Sequence, residues 1–194
     1  MRYFFIYPTL LILFVLGACN TVQNPPVYAD LTFQHLGKIP LNVAQITVDV
    51  TYDPPFASNY VDAEMPVSLS KGLQGWAKDR LIAVGQGGTA RFRSEIASVI
   101  EDKLPQGKGI KGYFTKEQSE RYRAKIIVTL DARSADGLAV GETQTVVERS
   151  ITVAADASLN ARDGELYKLA EKILADFDQK MEQNIRTYLA RFLV

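Results

Sequence analysis

The chain has 194 residues, with 22 basic and 22 acidic side chains, one histidine and one cysteine. Its formal net charge of zero excludes the strongly basic balance that is typical of nucleic-acid-binding proteins. Hydrophobic residues make up 47% and charged residues 23%, which are ordinary values for a globular protein. A chain of this length can form one domain with a complete hydrophobic core.

The chain begins with the three parts of a secretory signal sequence. Arg2 supplies a positive charge, an almost unbroken apolar run extends from Tyr3 to Leu16, and small residues lead to Cys19. A membrane-spanning anchor would need about 20 apolar residues and a stop-transfer flank, whereas Pro8 interrupts this run and polar residues follow it. The pattern therefore predicts a signal peptide over residues 1–18.

The four residues Leu16-Gly17-Ala18-Cys19 resemble the lipobox of bacterial envelope lipoproteins. The resemblance implies cleavage before Cys19 and acylation of its thiol, which would attach the protein to a membrane. Cys19 is the only cysteine and would have no disulfide partner in an oxidising compartment. Because each buried methylene contributes about 0.8 kcal/mol, two or three acyl chains would hold the protein durably. The alternative is an ordinary secretory signal with an accidental cysteine.

Asn20 bears on which membrane holds the anchor. The sorting rule that comes with the lipoprotein resemblance retains a protein in the inner membrane when aspartate follows the cysteine. Since Asn20 is not aspartate, we expect the outer membrane, with the domain facing the periplasm, rather than the inner membrane.

Residues 19–43 are predicted to be the lipidated N-terminus and a linker. Pro25, Pro26, Gly37 and Pro40 lie among polar residues without a sustained period of a helix or strand. The single histidine, His35, lies in this interval without Cys, Asp or Glu at ligand spacing, so we predict no metal site and no cofactor.

The first part of residues 44–194, predicted to form one α+β domain, shows a strand and then a helix. Apolar and polar residues alternate over 44–52 and predict a half-buried strand. The helix is expected to begin at Ser68 or Ser70 and to end at Gly85 in a left-handed cap. Trp76 falls on its apolar stripe and is expected in the core.

The predicted helix contains two glycines, and a glycine-rich stretch and an ambiguous segment follow it. Gly72 and Gly75 inside the helix are expected to allow a close approach to a sheet. Residues 85–88 (GQGG) follow a helix and lack the spacing of a phosphate-binding loop, so they predict only a turn. Residues 89–104 fit both periods, and we predict a strand because the following segments build a sheet.

The last part of the chain predicts two strands and a long helix. Strands are expected over 121–132 and 138–153, joined by the turn residues 134–137. Arg149 falls among the apolar positions of its strand, near an end or paired with a carboxylate. The final helix is expected to open at Asp156, Ser158 or Asn160, and its apolar stripe continues for about seven turns.

The predicted order is therefore strand, helix, strand, strand, strand, helix. Such an order is typical of an α+β domain in which two helices pack on one face of a mostly antiparallel four-stranded sheet.

The lipobox, this order of elements and the C-terminal pattern resemble a group of small envelope lipoproteins. The group comprises the lipoprotein of the lipopolysaccharide-assembly machine and the auxiliary lipoproteins of lipid and ABC transport systems. The C-terminal pattern is the run Arg121-Tyr122-Arg123-Ala124-Lys125-Ile126, then Val147-Glu148-Arg149-Ser150, a polar stretch with Asn160 and the long helix. The resemblance implies a non-enzymatic accessory subunit, with an envelope protein partner, in envelope assembly or in the transport of lipid or lipopolysaccharide.

The sequence lacks the common motifs of envelope enzymes. It contains no GxSxG or HExxH, and its one histidine has no orienting partner nearby. We predict that the protein is not an enzyme. Paired carboxylates such as Asp49 and Asp53 leave a two-carboxylate glycosidase as the open alternative.

Basic residues cluster in and after a Gly- and Lys-rich loop over 105–118. The candidate contacts with anionic lipid are Lys108, Lys111, Lys116, Arg121 and Arg123. The alternative is a solvated loop and strand face. Three roles stay open from the residues alone: an interaction subunit of an envelope complex, a lipid- or glycolipid-binding module, and a structural lipoprotein that contacts the cell wall.

Overall fold

The computed structural model describes residues 26–55, 57–103, 118–154 and 156–194. Cys19 with its lipobox, and Lys108, Lys111 and Lys116, lie outside these residues. The strands and α-helices are β1 (Ile39–Leu41), β2 (Gln45–Asp49), α1 (Leu69–Arg80), β3 (Leu81–Ala83), β4 (Thr89–Lys103), β5 (Gln118–Arg133), β6 (Val140–Ala154) and α2 (Leu159–Tyr188). Short 3₁₀ turns occur at Asp62–Glu64 and Ala190–Phe192.

The main sheet contains four strands in the order β2-β4-β5-β6. β5 is antiparallel to both β4 and β6, and β2 joins β4 in parallel. Trp76 of α1 and Phe177 of α2 both pack on Phe92 of β4, so the two helices share one face of the sheet. The predicted α+β class is confirmed, and residues 89–103 are the strand that was expected there.

The core lies between this sheet face and the two helices. Alternate residues of β5 point into it and are fully buried: Tyr122, Ala124, Ile126, Val128 and Leu130. The apolar stripe of α2 covers them with Leu169, Ile173, Phe177, Met181 and Ile185. Trp76 is also fully buried and stacks on Phe92 with ring centroids 5.4 Å apart, as its place on the helix stripe predicted.

Side-chain caps select among the predicted helix starts. The hydroxyl of Ser68 accepts a hydrogen bond from the Lys71 N–H, and that of Ser158 accepts one from the Ala161 N–H. Each satisfies a backbone donor that the first helical turn would otherwise leave unpaired. The serines therefore fix the start of both helices.

The prediction for the end of α1 is wrong. α1 ends at Arg80 and the next residues form β3, which pairs in parallel with β1. Gly85 has no left-handed conformation; the glycines with positive φ in the described ranges are Gly88 and Gly137. Gly85 instead passes the backbone of Asn42 and Val43 so closely that a Cβ would lie 2.6 Å from it. Strand pairing with β1, which is distant in sequence, overrides the helical period.

Much of the interval predicted as a linker packs against the domain. Its buried side chains are Phe33, Ile39, Leu41 and Val43. Residues 26–38, called the strap below, cross the outer side of the helices before β1. There Tyr28 stacks on Tyr167 of α2, and the Phe33 N–H donates a 2.9 Å hydrogen bond to the carboxylate of Asp79 on α1. The strap thus connects the two helices.

The elongated sheet and α2 give the domain two ends. The upper end contains the last residue of β4, the first of β5, the last of β6 and the start of α2: Lys103, Gln118, Ala154 and Ser158. The lower end contains the β5–β6 hairpin and the end of α2, where Gly141 lies against Leu189 and Phe192. Strand β1 also lies at the lower end, because Leu41 bridges to Leu193.

Candidate functional site

The described part of the predicted lipid-contact site consists of Arg121 and Arg123 on β5. Both are exposed and lie two residues apart on the sheet face that the helices leave uncovered. Arg123 forms an ion pair with Asp102, which lies diagonally across on β4. Two residues further along, Lys125 pairs with Glu148 at 2.6 Å, and this hydrogen bond lowers the pKa of the Glu148 carboxyl. Much of this positive charge is therefore already compensated within the sheet.

A second charged cluster, at the upper end, was not predicted. Arg162, in the first turns of α2, lies 3.4 Å from both Glu64 and Glu101 and 3.9 Å from Glu120. Its guanidinium also lies over the ring of Tyr122, 5.1 Å from the centroid. The cluster joins α2 to β4, β5 and the first 3₁₀ turn, so it closes the upper end of the core.

Tyr122 links this cluster to the core. Its ring is buried, while its hydroxyl donates a 2.6 Å hydrogen bond to Glu120. Burial, and then this hydrogen bond, raise the pKa of the Tyr122 hydroxyl far above its usual value, because both favour the neutral phenol. Tyr122 is therefore a hydrogen-bond donor at any physiological pH and is unsuited to act as a base.

An open cavity of about 390 Å³ lies beside the first 3₁₀ turn, with Asp53, Tyr60 and Asp62 in its wall. One Asp62 oxygen accepts a 3.0 Å hydrogen bond from the Val99 N–H, whereas the other is buried without a hydrogen-bond partner. Burial raises the pKa of the Asp62 carboxyl above its usual value. The carboxylate of Asp62 therefore has a structural role, because it accepts a hydrogen bond from the backbone N–H of Val99 in β4.

His35 is exposed and lines a second cavity of about 340 Å³ between the strap and α2. The other walls of this cavity are mostly apolar and include Phe33, Leu36 and Leu174. Within the described ranges, no group of three or more His, Cys, Asp or Glu side chains is placed to hold a metal ion.

A third charged cluster lies between the helices. Arg80, only 3% exposed, donates a 2.8 Å hydrogen bond from Nε to Asp178 and forms an ion pair with Glu182. The same Asp178 oxygen accepts a 2.7 Å hydrogen bond from the Trp76 indole. The carboxylates satisfy the buried guanidinium, so this cluster fixes α1 against α2.

The sequence gives little sign of these clusters. Glu64, Glu101, Glu120 and Arg162 are up to about a hundred positions apart, and each is an ordinary charged residue in its own segment. Arg149 is the exception, because its place among apolar positions of β6 marked it in advance. The structure pairs it with Asp176 of α2 through two hydrogen bonds, one of them 2.8 Å long.

Within the described ranges, no helix combines the length and the apolar character needed to cross a membrane. The comparisons with known proteins found no matching family model and no matching curated protein.

Several solved structures resemble this one in fold. Rare lipoprotein B from Shewanella oneidensis matches with a TM-score of 0.38 and 10% identity, over 72% of this chain and 92% of that one. A minor lipoprotein from Acinetobacter baumannii matches with a TM-score of 0.39 and 13% identity, over 80% of this chain and 98% of that one. A protein from Xanthomonas campestris matches with a TM-score of 0.30 and 10% identity, over 84% of this chain and 98% of that one. At these scores and identities the likenesses assign neither a family nor a function.

Proposed function

We propose that the protein is a non-enzymatic lipoprotein of the outer membrane, an accessory subunit in envelope assembly or in the transport of lipid or lipopolysaccharide. The observation that carries the proposal is the lipobox-like sequence ending at Cys19. It is supported by the strap, which begins seven positions after Cys19 and packs on α2 through Tyr28, so a lipid on Cys19 would be joined to the folded domain by a short stretch of chain.

The anchor is tested by replacing Cys19 with serine, which removes the thiol that would carry the lipid. We expect the wild-type chain to be cleaved before Cys19 and to float with membranes in a density gradient. The Cys19→Ser variant should keep its signal peptide or lose its membrane association. If the variant is cut at the same bond and still floats with membranes, the anchor proposal is wrong.

The accessory role is tested by affinity purification of the tagged full chain from detergent-solubilised membranes. A stoichiometric outer-membrane barrel or transporter subunit should be recovered with the wild type. The Cys19→Ser variant is the matched control, because its domain is identical and it lacks the thiol that would carry the lipid. Recovery of the protein alone from wild-type membranes would contradict the accessory role.

A lipid-binding role of the basic loop is the second candidate. The observation that favours it is that the residues flanking the loop, Lys103 and Gln118, lie at the upper end together with Arg121 and Arg123, and the strap begins nearby. Cations placed close to an anionic lipid surface are each worth about 1 kcal/mol of attraction.

The test compares two triple alanine variants for the lipid or lipopolysaccharide that is purified with them. Replacing Lys108, Lys111 and Lys116 should reduce this lipid several-fold. Replacing Lys71, Lys78 and Lys172, three exposed lysines of the helices, removes the same charge elsewhere and should leave it unchanged. An equal loss in both variants would contradict a site at the loop.

A further inference from the structure

The contacts of the strap determine where the N-terminal tether leaves the domain. Tyr28 stacks on Tyr167 with ring centroids 4.9 Å apart, and its hydroxyl lies against Gly164. Tyr167 in turn donates a 3.3 Å hydrogen bond to the Ala29 carbonyl. From there the strap runs past α1 and enters β1 at the lower end. The tether therefore leaves the domain beside the first third of α2, next to the upper end.

The length of the tether restricts which end of the domain can face a membrane. Cys19 lies nine positions before Tyr28, and a fully extended chain of that length spans at most about 32 Å. Along α2, the distance from Tyr167 to Tyr188 is also about 32 Å at 1.5 Å per residue. Turning the lower end toward the bilayer that anchors Cys19 would thus require a completely stretched tether. The upper end can reach the same bilayer with slack.

Two large apolar side chains are exposed where the tether leaves. Val27 is 98% exposed, and Leu159, the first residue of α2, is 75% exposed. Apolar side chains at a lipid–water boundary gain free energy by entering it. Exposed apolar side chains, among them Leu138 and Val194, also lie at the lower end. The reach of the tether therefore selects the upper end, and Val27 and Leu159 supply the apolar contact there.

We propose that the upper end of the domain faces the bilayer that holds the acyl chains of Cys19, with Val27 and Leu159 at the lipid–water boundary. The lower end, with its hairpin residue Leu138, then points away from that bilayer. This orientation rests on the proposed lipid anchor. It leaves Leu138, which is 87% exposed, available only to partners that lie away from the anchoring surface.

The orientation is tested with fluorescent labels at the two ends. Lys103→Cys places a label at the upper end and Leu138→Cys at the lower end, which are separated by about 50 Å along the 15 residues of β4. The full-length chain carrying its native lipid is reconstituted into phosphatidylethanolamine–phosphatidylglycerol vesicles that contain a lipid with a nitroxide head group. We expect quenching several-fold stronger at position 103 than at 138. Equal quenching, or stronger quenching at 138, would overturn the orientation.

The same preparation separates a failure of the anchor from a failure of the orientation. Since Cys19 is the only native cysteine, a wild-type chain acylated there should float with vesicles and take up no thiol label. Labelling of the wild type, or failure to float, overturns the anchor and the orientation together. Flotation of an unlabelled wild type without a difference between positions 103 and 138 overturns the orientation alone.

The contact residues are tested by adding charge to them. Val27→Glu with Leu159→Glu should reduce the difference between the two labels while flotation persists. The fold should tolerate the pair, because Val27 is exposed and glutamate is favourable in a first helical turn. The matched control is Val84→Glu with Val194→Glu, two exposed positions at the lower end, which should leave the difference unchanged. An unchanged difference in the first pair would overturn the role of Val27 and Leu159.

Discussion

Arg80 illustrates how a single residue holds the two helices together. A buried guanidinium is tolerated only when carboxylates and hydrogen bonds replace its water, and here Asp178 and Glu182 do so. Replacing Arg80 with methionine would leave the carboxylate of Asp178 without its cation and Glu182 with only the exposed Arg186. We expect the free energy of unfolding to fall by about 3 kcal/mol, measured by urea denaturation.

Arg186 provides the control for this prediction, because it pairs with the same Glu182 from an exposed position on α2. An exposed pair one helical turn apart contributes only about 0.3–0.5 kcal/mol. Arg186→Ala should therefore shift the urea midpoint little. A similar loss of unfolding free energy in the two variants would mean that the burial of Arg80 does not determine how much its ion pairs stabilise the fold.

The raised pKa of Asp62 predicts an unusual pH dependence of the free energy of unfolding. Its carboxyl has a raised pKa in the folded state, mainly because of burial. The native state then binds more protons than the unfolded state between the ordinary value of 3.8 and the raised one, so this group lowers stability as pH rises through that window. Asp62→Asn keeps an acceptor for Val99 but cannot ionise.

The measurement compares the free energy of unfolding of both chains from pH 3.5 to above the window. We expect the variant to gain stability relative to wild type as pH rises, and to hold that gain at neutral pH. The comparison cancels other titrating groups, such as Asp176, whose pKa is lowered by its hydrogen bond with Arg149. A constant difference across the range would mean that Asp62 titrates normally.

Among the elements, α1 contains two glycines whose surroundings predict opposite effects of alanine substitution on the free energy of unfolding. A Cβ at Gly72 would lie 2.5 Å from a methyl of buried Leu174, so α1 and α2 meet at this point. At Gly75 the nearest atom, the Leu31 carbonyl oxygen, would be at an ordinary 3.6 Å. Alanine is favoured over glycine in a helix by about 1 kcal/mol, whereas overpacking costs about 1–3 kcal/mol.

We therefore expect Gly75→Ala to raise the free energy of unfolding by up to about 1 kcal/mol. Gly72→Ala should lower it by about 1 kcal/mol net, since the clash exceeds the gain in helix propensity. Thermal and urea unfolding of the two variants check both signs. Stabilisation by both substitutions would show that Leu174 moves aside at no cost.

The elements themselves differ in how far the sequence predicts them. β5 and α2 carry long periodic patterns whose buried faces are those expected, and the serine caps are local signals. The end of α1 is different, because β3 has only three residues and exists through its pairing with β1. The close approach of Gly72 was expected, but its partner is α2 and not the sheet. Contacts between distant segments decide these points, and no local pattern encodes them.

For the whole molecule, the sequence predicts the class of fold and the anchor residue, whereas the charge clusters and the strap emerge only from tertiary structure. The sequence of the strap shows no helical or strand period, yet the strap packs on α1 and α2, which both follow it in the chain. Its packing is why the tether leaves beside the start of α2. The end of the domain that we propose to face the membrane is therefore determined by the path of the strap.

The contribution of the strap and β1 can be measured by truncation. A chain of residues 44–194, starting at the predicted domain boundary, loses the buried Phe33, Ile39, Leu41 and Val43 and leaves β3 without its partner. Burying one such side chain stabilises by about 1.5–3 kcal/mol, and a whole domain has only about 5–15 kcal/mol. We expect residues 26–194 to unfold cooperatively and residues 44–194 to be largely unfolded, as measured by circular dichroism and urea titration.

An intermediate chain of residues 31–194 separates the two parts of the strap. It loses the stacking of Tyr28 on Tyr167, worth about 0.5–1.5 kcal/mol, but keeps Phe33 and β1. Its urea midpoint should lie slightly below that of residues 26–194. If residues 44–194 unfold at the same midpoint as residues 26–194, then Phe33 and β1 add nothing to the stability of the fold, and the domain begins at residue 44 after all.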